Sequence, residues 1–319
     1  MMELPSLADL EAAARVVYRH MPPTPQYRWP LLCERLGVDV WLKHENHTPV
    51  GAFKLRGGLV YFDQLGKMPG VIAATRGNHG QSVAYCAREY GVPATIVVPH
   101  GNSAEKNAAM RALGARLIEH GHDFQAAFEH AQALAQDERL HMVPSFDRPL
   151  VAGVATASLE LLGAVPDVQT LYVPIGLGSG ICAAIAARNA LGSSAEIVGV
   201  VSAHARAYAA SFAERRPLEL PVTTRIADGM AVRKPDPTAL EVIWRYVDRI
   251  VEVSDDELGQ AIGLIFECTH NVAEGAGAAG VAAMRKERAR LAGHKVAAVL
   301  SGGNIDRPLF AEVLAKYER

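Results

Sequence analysis

Trp41-Leu-Lys-His-Glu-Asn-His-Thr-Pro-Val-Gly-Ala-Phe-Lys-Leu-Arg-Gly-Gly58 ends a predicted strand and sets one lysine, Lys54, in a tight local frame. Phe53 precedes it, Gly51 and Ala52 lie just before, and Arg56-Gly57-Gly58 follow. An ammonium in a cramped, partly apolar loop loses solvation. Its pKa falls, and the free amine becomes a nucleophile toward an aldehyde. A surface lysine at the start of a helix is the plainer alternative. The rest of the chain decides between the two.

Outward from this stretch, apolar runs of strand length alternate with helical patterns. Val71–Ala74, Ala94–Val98, Ala115–Ile118, Thr170–Val173, Glu196–Val201 and Lys295–Leu300 read as strands. Several are unbroken apolar runs bounded by Gly or Pro, as expected of strands covered on both faces. Phe124, Ala127, Phe128, Ala131, Leu134 and Ala135 form a helical apolar stripe. Ser254-Asp-Asp-Glu257 is a capping box opening a helix with Leu258, Ile262 and Ile265 inward. The alternation predicts an α/β fold with mostly parallel sheets, whose ligands sit at strand C-terminal ends. Three glycine-bearing turns each follow a predicted strand: Thr75-Arg-Gly-Asn-His-Gly80, Gly176-Leu-Gly-Ser-Gly180 and Ser301-Gly-Gly-Asn304.

Composition narrows the function class. The chain has 319 residues, half of them apolar, and a formal net charge of −2. No basic patch is implied, so nucleic acid is not an expected partner. The four cysteines, Cys33, Cys86, Cys182 and Cys268, are widely spaced, without metal-ligand spacing. Buried reduced thiols are expected. The N-terminus does not read as a signal peptide, and no apolar run reaches membrane-spanning length. The expectation is a cytoplasmic enzyme with no membrane partner.

Taken singly, each turn is ambiguous. The first precedes a helix, and free amides there bind anions such as a carboxylate, although a plain turn fits too. The second could cradle a phosphate on its amides and the Ser179 hydroxyl. A dinucleotide is the other candidate, weakened because Glu196 starts the next strand instead of ending it. Ser301 could equally be an ordinary turn residue.

Together with Lys54, the three turns resemble the fold-type II pyridoxal-phosphate enzymes, the family of threonine and serine dehydratases and serine racemase. The family's lysine loop reads as an acidic residue, a short polar run and Gly-Ser-Phe-Lys-x-Arg-Gly. Glu45, Gly51, Ala52, Phe53, Lys54, Arg56 and Gly57 match it, with Ala52 for the usual Ser. The likeness runs from about Thr24-Pro25 to Asp306. It implies a tryptophan synthase β-like α/β fold with two domains. Residues 61–148 would form the small domain, residues 1–60 and 149–319 the large one, with the active site in the cleft between them.

The resemblance also implies roles. Lys54 would carry pyridoxal 5'-phosphate as a Schiff base and serve as general base. Asn78 would hold the ring hydroxyl. Thr75, Arg76, Gly77, His79 and Gly80 would bind the substrate, chiefly its carboxylate. Gly176, Leu177, Gly178, Ser179 and Gly180 would take the phosphate, with Ser179 also an acid for the leaving group. Ser301 would meet the pyridine nitrogen, with Phe53, Glu274 and Gly302 beside the ring. A neutral hydroxyl does not keep that nitrogen protonated, which suits β-elimination over long-lived carbanions.

The expected reaction is loss of water from a threonine- or serine-like β-hydroxy-α-amino acid, giving a 2-oxo acid and ammonia. A racemase or a β-replacement enzyme on the same scaffold is the alternative. Arg76 stands where relatives often have Ser, and an arginine is a poor proton shuttle. It binds an added substrate group, braces the loop, or forms an outward salt bridge. Ser202-Ala203-His204 replaces the acidic residue of metal-binding relatives, so no metal is expected. Asp228-Gly229 matches a structural family segment. With the chain ending soon after the third turn, a C-terminal regulatory domain is not expected and a catabolic role is, and relatives suggest a homodimer.

Overall fold

The computed structural model describes residues 2–317. Its strands are β1 (Gln26–Arg28), β2 (Asp39–His44), β3 (Val71–Ala74), β4 (Ala94–Val98), β5 (Arg116–Glu119), β6 (His141–Met142), β7 (Thr170–Pro174), β8 (Glu196–Ser202), β9 (Arg249–Val253) and β10 (Lys295–Leu300). Its helices are α1 (Leu7–Val17), α2 (Pro30–Leu36), α3 (Lys54–Gln64), α4 (Asn78–Glu89), α5 (Ala104–Ala112), α6 (Phe124–Asp137), α7 (Arg148–Ala164), α8 (Ser179–Ala190), α9 (Ala207–Glu214), α10 (Pro237–Tyr246), α11 (Asp255–Thr269), α12 (Gly275–Lys286) and α13 (Arg307–Lys316). Among the described residues no helix is long and apolar enough to cross a membrane.

Two sheets result. One has six strands in the order β1-β2-β10-β7-β8-β9, the other four in the order β5-β4-β3-β6. Every pairing is parallel except β1 with β2. This is the α/β architecture expected from the alternation of strand and helix. β3 and β7 are buried along their whole length because helices cover both faces.

The Ser254 capping box forms, and Leu258, Ile262 and Ile265 are fully buried. Two expectations shift. The strand expected at 115–118 runs over Arg116–Glu119. Phe124 is 41% exposed, because the face of α6 packed on its sheet is carried by Ala127 and Ala131. The short β1 and β6 and the half-exposed β9 carry no apolar run long enough to be read from sequence.

The order β2-β10-β7 is what positions the site. These three strands lie side by side and in parallel, so their C-terminal ends open on one edge. Leu300 at the end of β10 is in register with His44 at the end of β2. The segments leading to Lys54, Ser301 and the glycine loop therefore emerge as neighbours.

Beneath that edge lies a buried ionic network. Arg56, Lys43 and Glu45 are wholly inaccessible to solvent. Arg56 Nε donates to Glu45 Oε2 at 2.7 Å and Nη2 to Glu45 Oε1 at 3.0 Å. Nη1 donates to Glu160 Oε1 at 2.6 Å and to Thr156 Oγ1 at 2.9 Å. Lys43 donates to Glu160 and, at 2.6 Å, to the Thr24 carbonyl. Two cations thus face two carboxylates. Burial opposes the Arg56 charge, but the carboxylates of Glu45 and Glu160 outweigh it and raise its pKa. α3 and α7 come close enough to share this network because glycines meet at their crossing. A Cβ on Gly153 would strike the Arg56 carbonyl, and one on Gly57 would lie 2.7 Å from the Leu150 carbonyl.

Removing one member of a buried pair strands its partner. Arg56→Met is expected to lower unfolding free energy by about 3–5 kcal/mol in urea titration of the cofactor-free protein. A loss near that of an exposed ion pair, about 0–1 kcal/mol, would show that solvent or rearrangement compensates.

Candidate active site

Four segments converge where the ends of β2, β3, β7 and β10 meet. Lys54 is the first residue of α3, not part of a loop as its glycine-rich surroundings suggested. It is nevertheless no surface lysine. Nζ donates to Ser179 Oγ at 2.8 Å and to the Ser145 carbonyl at 3.4 Å, and lies 5.3 Å from the Phe53 ring centre. Although the residue keeps some solvent contact, burial of the ammonium pulls its pKa down to about 8. The cramped setting inferred from sequence is met by tertiary packing at a helix start.

The lysine segment is tied to the third turn. Phe53 N donates to the Ser301 carbonyl, Gly303 N donates to the Gly51 carbonyl, and Ala52 bridges Gly302. Ser301 is buried at the end of β10. Asn304 Nδ2 donates to the Val50 carbonyl at 2.9 Å and to Asn78 Oδ1 at 2.8 Å. Asn78 Nδ2 donates in turn to Glu274 Oε1 at 2.6 Å. Burial raises the pKa of Glu274, against the pull of Lys106 and Asn78. Asn78 is therefore held at both ends of its amide, by Asn304 and Glu274.

In the first turn, Thr75 Oγ1 accepts from Gly77 N at 3.0 Å and Gly80 N at 3.3 Å. Those two amides are engaged within the loop, which leaves the amides of Asn78 and His79 at the start of α4 as the better anion donors. Arg76 is exposed, and the outward salt bridge considered for it does not form among the described residues. His79 Nε2 is sealed from solvent without a partner among them.

The second turn leads from Pro174 into α8, whose N-terminal amides face the site edge. Gly178 has φ +114°, and a Cβ there would strike Ala239, so the tight turn demands glycine. Leu177 departs from a run of glycines, and its carbonyl accepts from Tyr208 Oη at 2.7 Å.

Sequence reading missed four supports. Tyr208 Oη also accepts from Asp236 N at 3.0 Å and braces the glycine loop. Ser82 Oγ donates to the Lys54 carbonyl at 2.9 Å. Lys106 on α5 pairs with Asp228 at 3.4 Å, beside the first turn. Ser145 follows β6 and meets Lys54. Their signals lie in contacts between distant segments, which no local pattern carries. Asp228, matched only as a family segment, is thus a cross-element ion-pair partner.

Comparison with known proteins identifies the scaffold. The model of the family described as pyridoxal-phosphate dependent enzyme matches residues 17–302. The L-threonine ammonia-lyase of Thermotoga maritima is 34% identical over 315 residues, spanning 98% of this chain and 78% of that protein. A solved threonine deaminase from T.th. is 34% identical with a TM-score of 0.89, covering 95% of this chain and 99% of that one. Maize serine racemase superposes with a TM-score of 0.91 at 25% identity, covering 99% and 98%. The chain belongs to the pyridoxal-phosphate dependent enzyme family, has its type II fold, and uses pyridoxal 5'-phosphate.

Only the unprotonated amine is nucleophilic, so acylation of Lys54 is expected to rise with pH through about 8. Exposed lysines should rise through roughly 10.4. Pulse labelling of the cofactor-free protein with an amine-selective reagent, read by peptide mass spectrometry, separates the two profiles.

Proposed function

We propose that this enzyme is a dehydratase, an ammonia-lyase that eliminates water from a threonine- or serine-like β-hydroxy-α-amino acid. The products are a 2-oxo acid and ammonia. The observation that carries the reading is the Lys54 amine, with its pKa near 8 and its hydroxyl neighbour Ser179 at 2.8 Å. The names of the similar ammonia-lyase and deaminase support it.

The residues suit the cofactor. Lys54 offers an amine to its aldehyde. The amides of 176–180 and the Ser179 hydroxyl suit its phosphate, since a helix N-terminus favours an anion. Asn78, clamped by Asn304 and Glu274, suits the ring oxygen, and the buried Ser301 suits the ring nitrogen. Phe53, Glu274 and Gly302 complete the surroundings of the ring. When bound, pyridoxal phosphate supplies an electron sink conjugated to the substrate's α-carbon.

The chain's own groups do the rest. The amides at Asn78 and His79, with Thr75, Gly77 and Gly80 shaping the loop, hold the carboxylate. Once the substrate amine has taken its place, Lys54 removes the α-proton as general base. The C–O bond to the β-carbon breaks, and Ser179 delivers a proton so that water leaves; the hydroxyl takes a proton in turn from the Lys54 ammonium 2.8 Å away. The released enamine tautomerises, and hydrolysis yields the 2-oxo acid and ammonia.

A racemase is the second reading, favoured by the likeness to the maize enzyme. Racemisation by two bases needs a proton carrier on the opposite face. Arg76 occupies the position where the resemblance puts a serine, and a guanidinium stays protonated. Its side chain remains available for a polar substrate group. The reading further includes a cytoplasmic homodimer with residues 61–148 as the small domain. In support, the four-stranded sheet lies wholly within residues 71–142. The boundaries at 60/61 and 148/149 fall within α3 and at the start of α7, so both helices would bridge the two domains.

The test is release of 2-oxo acid and ammonia from both enantiomers of threonine, serine, 3-hydroxyaspartate and 3-phenylserine. At least one is expected to turn over. Lys54→Ala should lower kcat by roughly 10²–10⁴-fold or more. No 2-oxo acid from any of them with cofactor bound, or normal turnover by Lys54→Ala, would sink the dehydratase scheme.

Arg76→Ser is expected to gain interconversion of serine enantiomers, followed by chiral chromatography. Unchanged product ratios would remove Arg76 as the barrier to racemisation.

A further inference from the structure

Lys54 and His79 leave one donor and one acceptor unmatched beside a shared wall. An ammonium carries three N–H donors and no acceptor. Lys54 uses two of them, on Ser179 Oγ and the Ser145 carbonyl. His79, in the first turn of α4, has its ring beside the Val143 backbone, while Nε2 has no partner among the described residues. Val143 and Ser145 are two residues apart in the run that follows β6, so the two side chains line the same stretch of chain.

The protonation states fit a donor–acceptor pair. The Val143 backbone favours a proton on the ring nitrogen it faces, which leaves the lone pair of the neutral imidazole on Nε2. Burial, and next the nearby Lys54 charge, pull the His79 pKa down to about 3. The ring therefore stays neutral at working pH. Burial is the one influence that shifts Lys54, with no carboxylate offsetting it. An ammonium formed here depends on neutral acceptors, and an acceptor left unmatched in a buried setting is costly.

We infer that His79 is a positioning residue for the base: when Lys54 takes the α-proton, its third N–H turns onto His79 Nε2. In that step the substrate's α C–H bond breaks, its electron pair stays on the conjugated substrate carbon, and a new N–H bond forms at Nζ. Ser179, Ser145 and His79 then satisfy all three donors. The inference rests on the reading of Lys54 as base, and it assigns the His79 side chain to the lysine while its backbone amide serves the carboxylate.

The test uses holoenzyme of wild type, His79→Phe and His79→Gln, checked for cofactor content by visible absorbance and for folding by thermal melts. Without the acceptor the ammonium is less stable. In His79→Phe the acid limb of the kcat–pH profile should therefore move to lower pH by about 1–2 pH units. Its kcat should fall roughly tenfold or more, with KM held within about twofold. His79→Gln, whose amide oxygen can accept the same bond, should restore the limb and most of kcat.

Exchange of the α-proton of alanine for deuterium, followed by NMR, reads the base step without any leaving group. It should slow in His79→Phe in parallel. An unmoved acid limb and normal exchange in a cofactor-replete His79→Phe would overturn the inference. So would a loss confined to KM. If wild type exchanges the α-proton but forms no 2-oxo acid, the dehydratase reading fails while the exchange data still decide the role of His79.

Discussion

The buried Arg56 guanidinium is the constraint on which the site depends. Its five N–H groups reach Glu45, Glu160, Thr156 and Thr24, with Nη2 shared among Glu45, Glu160 and Thr24. Glu45 lies in the turn after β2, Arg56 in the first turn of α3, and Glu160 on α7. One planar cation thus joins a strand end, the helix that begins with Lys54, and the helix that supports it. Such a network contributes little net stability compared with an apolar core of equal volume. Its geometric demand is strict, because the guanidinium meets both carboxylates only when all three elements are in place.

Lys54 sits two residues from that anchor in the opposite electrostatic setting. Arg56 has carboxylates on two sides, whereas Lys54 has two neutral oxygens and an aromatic ring. Burial without a counter-ion lowers an amine's pKa, and burial with counter-ions keeps a cation charged. Neighbouring positions on one helical turn are therefore divided between structure and chemistry. The choice of neutral partners continues around the site, with Ser179, Ser301 and an uncharged His79 imidazole. Glu274, the acidic group at the edge, is held by the Asn78 amide and has its pKa raised by burial.

Much of this was legible before the fold was known. The strands β3, β4, β7, β8 and β10 are built around apolar runs, and burial on both faces is what such runs mean. The Ser254 capping box needs only residues three apart, and it formed as read. The three turns announce themselves through glycine at strand ends. β1, β6 and β9 were not legible, because a short or half-exposed strand depends on its neighbour more than on its own residues. Tyr208, Ser82 and Ser145 were hidden for a related reason. Each acts through hydrogen bonds between a side chain and a backbone group far along the chain.

The sequence by itself determined the kinds of local structure and the inventory of chemistry. Periodicity and turn residues act over a few positions, so they can be read without knowing what lies opposite. Only the tertiary structure decided proximity: that β10 inserts between β2 and β7, that Lys54 meets Ser179, and that Asn78 is clamped by Asn304 and Glu274. The lysine's depressed pKa belongs to that second category. It arises from the density of protein around one nitrogen, and that density is assembled from segments some 25 to 250 residues apart in the chain.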